Sequence, residues 1–283
     1  MISVKFGTNN VPIEFIHFPG GEEHARLSTN VPCVNPVVVT AKLTDSAEIM
    51  KMILVVDAVR RLFLSNGTVA TVNLVVPYFP YARQDRVAVP GETLAAAVMA
   101  GIINQLNCSM VTVFDPHSDV SAALVNNLRV VTQAGCVSLS SDLVGLIKDQ
   151  DSILIAPDAG ASKKIYKLAS EFGTNRVTVL DKDRNPINGE ITGIKYSYGI
   201  SDLTGKTAII ADDICDGGRT FIEAAKVLRS LGATKVVLYV THGLFTKGVD
   251  PLYPLIDTIY TTDSYCTTQY ESVNYINVIK EFE

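Results

Sequence analysis

The chain has 283 residues, 47% of them hydrophobic, enough for two ordinary domains each with its own core. A net charge of −5 argues against a nucleic-acid or anionic-membrane surface, and leaves small anions, held by local positive charge, as the ligands to consider. The N-terminus MISVKFGTNN lacks a basic segment followed by an apolar one, the stretch LAAAVMAGII is too short to span a bilayer, and the five cysteines are scattered with no C-x-x-C pair. A cytoplasmic protein without a disulfide framework or a zinc site is therefore expected.

In chain order, residues 46–67 and 93–107 carry apolar residues at helical spacing and flank a β-rich run, 72–79. Runs at 110–115, 152–158, 176–181, 207–213 and 235–242 are short and rich in Val and Ile, as buried strands are. Residues 161–173 and 219–233 again show helical spacing, and several helices close on Gly. This βαβ rhythm predicts an α/β protein with two similar domains, each a mainly parallel sheet flanked by helices. A weak echo supports the division: the strands VVPYF and VTVL each lead to a turn ending in Asp-Arg. The join falls near VVTQAGCVSLSSD, giving domains at 1–136 and 137–283.

The polar residues gather beyond strand C-termini: Arg83, Gln84, Asp85 and Arg86; Asp115 and His117; Asp158 and Gly160; Lys182 and Arg184; and Asp212 through Thr220. In open parallel sheets that edge binds ligands, because loops converge there and helix N-termini point their N–H groups outward. Cations, carboxylates and one His in five such loops suit phosphates and a metal. Asp212 and Asp213 sit side by side, where their charges repel; vicinal ribose hydroxyls can donate to both. Asp216, Gly217, Gly218, Arg219 and Thr220 suit a tight loop whose N–H groups hold a phosphate. A solvated turn with one N-cap is the plainer alternative for this stretch. The segment GISDLTGKT is not a Walker A loop: five residues separate Gly199 from Gly205 where four are required, and it precedes a strand, so Lys206 is expected on a surface turn.

ADDICDGGRT resembles the phosphoribosyl-binding loop of the type I phosphoribosyltransferase fold, and PYFPYARQDR resembles the ATP-site segment of ribose-phosphate pyrophosphokinases, the phosphoribosyl pyrophosphate (PRPP) synthetases. FPGGE, MILVVDAVRR, DPHS, APDAG, DKDR and GKTAIIADD follow the family's order, so the resemblance covers nearly the full length. It implies two phosphoribosyltransferase-like domains and transfer of the β,γ-diphosphate of ATP to the anomeric hydroxyl of ribose 5-phosphate, with Mg2+. By position, Phe18, Glu22, Arg83, Gln84, Asp85 and His117 would bind ATP, and His117 and Asp158 would bind or position magnesium. Lys182 and Arg184, with His117, would be catalytic, the two cations stabilising charge as the diphosphate moves; Asp212, Asp213 and Asp216 through Thr220 would bind the ribose phosphate. Such synthetases assemble as dimers grouped into rings, so a homo-oligomer, dimer or hexamer, is implied.

The chain also departs from the family pattern. Val87, Val89 and Gly91 stand in the segment after ARQDR where cations are usual, Gly20 replaces an Asp, and Ala159 replaces a His. The usual DTAGT has become DGGRT, which opens the backbone and adds the Arg219 guanidinium. That change suits an acceptor whose 5-phosphate is esterified, such as ADP-ribose, as an alternative to ribose 5-phosphate and one that would serve NAD salvage. A PRPP-consuming phosphoribosyltransferase and a non-catalytic regulatory homologue are the remaining alternatives.

Overall fold

The computed structural model describes residues 1–184, 191–197, 202–265 and 268–282, with the side chains of 181–184 and 191–197 excepted. The chain forms two compact units, Met1–Val131 with Ile279–Glu283, and Thr132–Val278. The expected boundary at 136/137 falls within a short helix, Gln133–Val137.

The first unit opens with β1 (Ile2–Phe6), β2 (Asn9–Asn10), the hairpin β3 (Ile13–His17) and β4 (Glu23–Leu27), and β5 (Val37–Ala41). Then come α1 (Ser46–Ser65), β6 (Val72–Val76), α2 (Ala95–Gln105), β7 (Met110–Phe114), α3 (Asp119–Leu124) and β8 (Leu128–Val131). Its sheet runs β2-β1-β5-β6-β7-β8, parallel from β5 onward and antiparallel at β1 and β2. Helix α1 starts where the Asp45 carboxylate accepts from the Glu48 N–H at 2.9 Å, and buries Met52, Val55, Val56, Val59 and Phe63 at helical spacing. The Phe63 ring meets Phe6 of β1 edge-on at 5.0 Å. Each such apolar side chain taken fully out of water contributes about 1.5–3 kcal/mol, which fixes the helix on the sheet.

The second unit contains α4 (Gln133–Val137), α5 (Ser141–Lys148), β9 (Ser152–Ala156), α6 (Ser162–Glu171), β10 (Val177–Arg184), β11 (Ile191–Ser197) and β12 (Thr207–Cys215). It ends with α7 (Arg219–Ser230), β13 (Lys235–Gly243), β14 (Thr258–Thr262) and β15 (Val273–Ile276). The sheet order is β11-β10-β9-β12-β13-β14-β15, parallel except for the β10–β11 hairpin. The chain leaves β9 through α6 to reach β10 on one side, then places β12 on the other. The order therefore reverses between β9 and β12, the kind of switch point at which open α/β sheets hold ligands. Helix α7 buries Phe221, Ala224, Ala225 and Leu228, the i, i+3, i+4, i+7 face read from the sequence.

Two expectations need correction. Lys182 and Arg184 are not in a turn: β10 runs on through them, because its antiparallel partner β11 pairs Ile194 with Lys182 and Ile191 with Arg184. The Asp-Arg echo between the units thus ends as a loop in the first and as strand in the second. Likewise β12 continues past Asp212 and Asp213 to Cys215, because β13 offers backbone partners as far as Gly243. Lys206 does lie at the opposite, N-terminal edge of the sheet, its ammonium 2.6 Å from the Asp151 carboxylate; Gly199 lies outside the described residues. No helix among the described residues is long and apolar enough to cross a membrane.

Candidate functional site

At the switch point of the second unit, parallel register sets Ile155 of β9 beside Ile210 of β12, so Asp158, Asp212 and Asp213 reach the same sheet edge. Asp213 is 5% exposed, and its Oδ2 lies 2.9 Å from the Lys164 ammonium in the first turn of α6. Asp212 differs from its neighbour. Burial, and then the Asp213 charge, push its carboxyl well above the ordinary value near 3.8, with the charge of Asp158 adding in the same direction. Its Oδ1 accepts from the Asp213 N–H at 2.9 Å, and its carbonyl accepts from the Gln133 side-chain amide at 3.0 Å. The pair thus joins a carboxylate ion-paired with Lys164 to one whose charged form is disfavoured by burial and by its neighbour, and the oxygens of both can accept from vicinal hydroxyls. Asp158 caps the turn that follows β9: its Oδ1 accepts from the N–H groups of Gly160 and Ala161 at 3.0 and 3.3 Å.

The loop after β12 is shaped by its glycines. Gly218 has φ +78°, and a Cβ there would lie 2.9 Å from Cδ2 of Leu252. Without a side chain the backbone turns sharply into α7, whose first N–H groups stay open to an anion. Gly218→Ala is expected to cost about 1–3 kcal/mol through left-handed strain and overpacking. A thermal melt should read this as a drop of about 2–4 °C for each kcal/mol. Asp216 is held from below, its Oδ1 accepting from the Thr246 hydroxyl at 2.6 Å. Arg219 is exposed at the helix start. The Cys215 thiol behind the loop is pushed up to about 12, chiefly by burial, so it is no nucleophile at neutral pH.

In the first unit, the loops after β6 and β7 carry the residues expected at ATP. Arg83 and Gln84, with Arg86, Ala88, Glu92 and Thr93, line a pocket of about 510 Å3. The Glu92 carboxylate accepts from the N–H groups of Ala88 and Val89 at 2.9 and 3.1 Å, which closes the segment bearing the exposed Val87 and Val89. Asp85 is half-buried beside this pocket's lining residues in sequence. After β7, Asp115 is 4% exposed and His117 stands exposed two residues on. Phe18 and Glu22 belong to the turn between β3 and β4, where the Phe18 N–H donates to the Glu22 carbonyl at 2.8 Å and the Phe18 ring is 44% exposed.

Backbone strain marks the same loops. Tyr81, Asp115 and Phe245 adopt φ of +61°, +35° and +46° in the loops that follow β6, β7 and β13. For a bulky residue this conformation costs about 1–3 kcal/mol and persists where surrounding structure imposes it, as at ligand sites.

The structure brings Asp158, Asp212, Asp213 and the 216–220 loop to one edge of the second unit, and Arg83 and Gln84 into one pocket of the first. His117 belongs to the first unit and Asp158 to the second. The backbone of Lys182 and Arg184 is in β10, and their side chains lie outside the described residues. Sequence reasoning missed Lys164, Gln133, Thr246 and Lys247. Lys164 had a faint signal, as a cation in the first helical turn after the APDAG segment. Among the described residues no group of three or more His, Cys, Asp or Glu is placed to hold a metal ion. Magnesium asks for less, since one or two carboxylates suffice when substrate phosphates and water complete its shell; Asp158 fits that role.

Residues 1–106 match the family model for the N-terminal domain of ribose phosphate pyrophosphokinase, and residues 189–259 match the phosphoribosyl synthetase-associated domain. The chain is 31% identical over 233 residues to a putative ribose-phosphate pyrophosphokinase 2 of Lactococcus lactis, covering 79% of this chain and 67% of that protein. It is 27% identical over 267 residues to the ribose-phosphate pyrophosphokinase of Thermosipho africanus, covering 93% and 81%. Among solved structures, phosphoribosylpyrophosphate synthetase from Mycobacterium smegmatis superposes with a TM-score of 0.77 at 20% identity, over 96% of this chain and 88% of that one. That likeness shows the two-domain α/β fold.

Proposed function

The chain belongs to the ribose-phosphate pyrophosphokinase family, and from that premise we propose that it transfers the β,γ-diphosphate of ATP to the 1-hydroxyl of a ribose 5-phosphate compound, releasing AMP. The observation that carries this reading is the switch-point edge of the second unit, where the carboxylates Asp212 and Asp213 stand directly before a glycine loop and a helix N-terminus. Carboxylates for the sugar and N–H donors for its phosphate are then neighbours in one strand-to-helix turn.

The sugar 1-hydroxyl attacks the β-phosphorus, the bond from that phosphorus to the α,β-bridging oxygen breaks, and AMP leaves with the oxygen. Such transfer needs positioning and positive charge more than covalent work. Phe18, Glu22, Arg83, Gln84 and Asp85 hold ATP in this scheme, with His117 beside its phosphates. Asp212 and Asp213 orient the ribose hydroxyls, and Asp216, Gly217, Gly218, Arg219 and Thr220 hold the 5-phosphate. Lys182 and Arg184 would stabilise the charge that builds on the moving diphosphate. His117 and Asp158 would hold magnesium, which when bound neutralises the β- and γ-oxygens. We place the enzyme in the cytoplasm, in nucleotide biosynthesis, as a homo-oligomer (dimer or hexamer).

AMP release from ATP, followed by chromatography with and without a ribose 5-phosphate acceptor, tests the reading. Acceptor-dependent AMP that vanishes in EDTA is expected. A regulatory homologue would release none, and a PRPP-consuming transferase would ignore ATP; either result would overturn the assignment.

A further inference from the structure

The acceptor itself can be narrowed, on the understanding that this step rests on the diphosphate transfer just described. We propose that the acceptor is a ribose whose 5-phosphate is esterified, ADP-ribose being such a molecule with a free 1-hydroxyl, and that its adenosine end enters a pocket beside the phosphate loop.

That pocket has a volume of about 380 Å3, within the roughly 300–1,000 Å3 range of small-molecule sites, and Phe245, Thr246, Tyr265 and Tyr270 are among its lining residues. None of its lining residues belongs to the phosphate loop itself, but one stretch of chain, residues 244–246, both lines the pocket and bonds the start of the loop. The N–H groups of Leu244 and Phe245 donate to the Cys215 carbonyl at 2.9 and 3.0 Å, and Thr246 bonds Asp216 through both its N–H and its hydroxyl. The same stretch therefore supports the loop and contributes to the wall of the pocket.

The wall is built for an aromatic surface. A Cβ on Gly243 would fall 2.2 Å from Phe245 Cε2 and 2.9 Å from Thr261 Oγ1, so only glycine lets the Phe245 ring fold back against the strand end. Phe245 holds its left-handed backbone there, and its ring meets Tyr270 edge-on at 6.1 Å and 88°. Clustered aromatic rings beside an anion site suit a purine, which offers a π-face to pack on.

Charge points the same way. A free ribose 5-phosphate carries one phosphate, whereas ADP-ribose carries two joined by an oxygen bridge. Arg219 at the start of α7 and Lys247 are both exposed, and neither side chain makes an ion pair or hydrogen bond among the described residues. The aliphatic chain of Lys247 passes 3.5 Å from where a Gly217 Cβ would sit, so this cation lies against the loop itself. Two uncommitted cations at the loop match a diphosphate, and the two glycines leave room for the ester. Ribose 5-phosphate alone would use neither the pocket nor Lys247.

The reaction balances as before. The 1-hydroxyl oxygen of ADP-ribose bonds to the β-phosphorus of ATP, the bond to the α,β-bridging oxygen breaks, the hydroxyl proton passes to solvent, and the products are ADP-ribose 1-diphosphate and AMP.

Parallel kinetics with ATP and magnesium, using ADP-ribose and ribose 5-phosphate as acceptors and mass spectrometry to identify products, test the proposal. The expected result is a kcat/KM for ADP-ribose at least tenfold above that for ribose 5-phosphate. Lys247→Gln and Tyr270→Leu should each lower that ratio about tenfold; should the tyrosine variant fail to fold, Lys247→Gln, which alters an exposed side chain, still decides. Turnover of ribose 5-phosphate without ADP-ribose would overturn this inference and leave diphosphate transfer standing. Turnover of neither would overturn both, and ADP-ribose turnover indifferent to Lys247→Gln would overturn the pocket assignment.

Discussion

Asp213→Asn is expected to lower kcat/KM for the acceptor by two to three orders of magnitude. The substitution keeps the shape of the side chain and removes its charge, while the Lys164 ammonium stays 2.9 Å away and only 26% exposed. Removing one partner of a buried ion pair costs about 3–5 kcal/mol, because the remaining charge is left in a poor environment. A hydrogen bond from a ribose hydroxyl to a charged oxygen contributes a further 1.5–3 kcal/mol or so, and an amide replaces it with a weaker one. At about 1.4 kcal/mol for each factor of ten, a loss of 3–4 kcal/mol at the transition state gives the expected range. Steady-state AMP release with the acceptor varied is the measurement. A change of less than fivefold would place the ribose elsewhere. Lys164→Gln combined with Asp213→Asn should recover part of the stability lost in the single variant, since the orphaned charge is then gone.

The parts of this molecule that were legible in its sequence are those buried on both faces. Strands β6, β7, β9, β12 and β13 read as continuous Val and Ile runs because helices or loops cover both sides of a parallel strand. The flanking strands gave weaker signals. β3 is exposed or half-buried throughout and β4 buries only Ala25 and Leu27, and β14 and β15 are short and carry Thr, Asn and Tyr, which also suit loops. Strand ends were misplaced for a tertiary reason, since β10 and β12 each continue as far as a neighbouring strand offers partners, and those partners are distant in the chain.

The site divides in the same way. Asp212, Asp213 and the glycine loop were readable because their chemistry is concentrated in one strand-to-helix turn. The reversal of strand order that gives them a crevice was not, because a crossover can pass to either side of its sheet and packing decides which. Lys164 looks like one of three lysines on a largely solvated helix; only the register of β9 beside β12 shows that its ammonium meets a carboxylate from 49 positions further on. Phe245 gave no signal at all, because its conformation is imposed by the chain packed around it.

Asp212→Asn should act on stability with the opposite sign to its neighbour, though it too should lose about 100-fold in activity as a ribose ligand. Its carboxyl is held well above the ordinary value near 3.8 by burial and by the Asp213 charge. Below pH 3.8 both folded and unfolded chains carry the proton, and this group adds no pH dependence. As pH rises from there towards the raised value, the unfolded chain gives up the proton while the folded one keeps it. Stability then falls with pH, by as much as about 1.36 kcal/mol for each unit. Asn resembles the protonated carboxyl and does not titrate, so the variant escapes the loss. Thermal melts in EDTA should coincide near pH 3.5 and separate by pH 7.5, with the variant higher by at least about 2 °C, the shift that roughly 1 kcal/mol produces in a chain of this size. A variant less stable than the parent at pH 7.5 would mean that the ionised form of Asp212 is the one the fold favours. Magnesium and acceptor should narrow the gap, because a cation and donor hydroxyls favour the ionised carboxylate that Asn cannot supply. The repulsion that makes this edge unstable in the empty protein is then what favours binding.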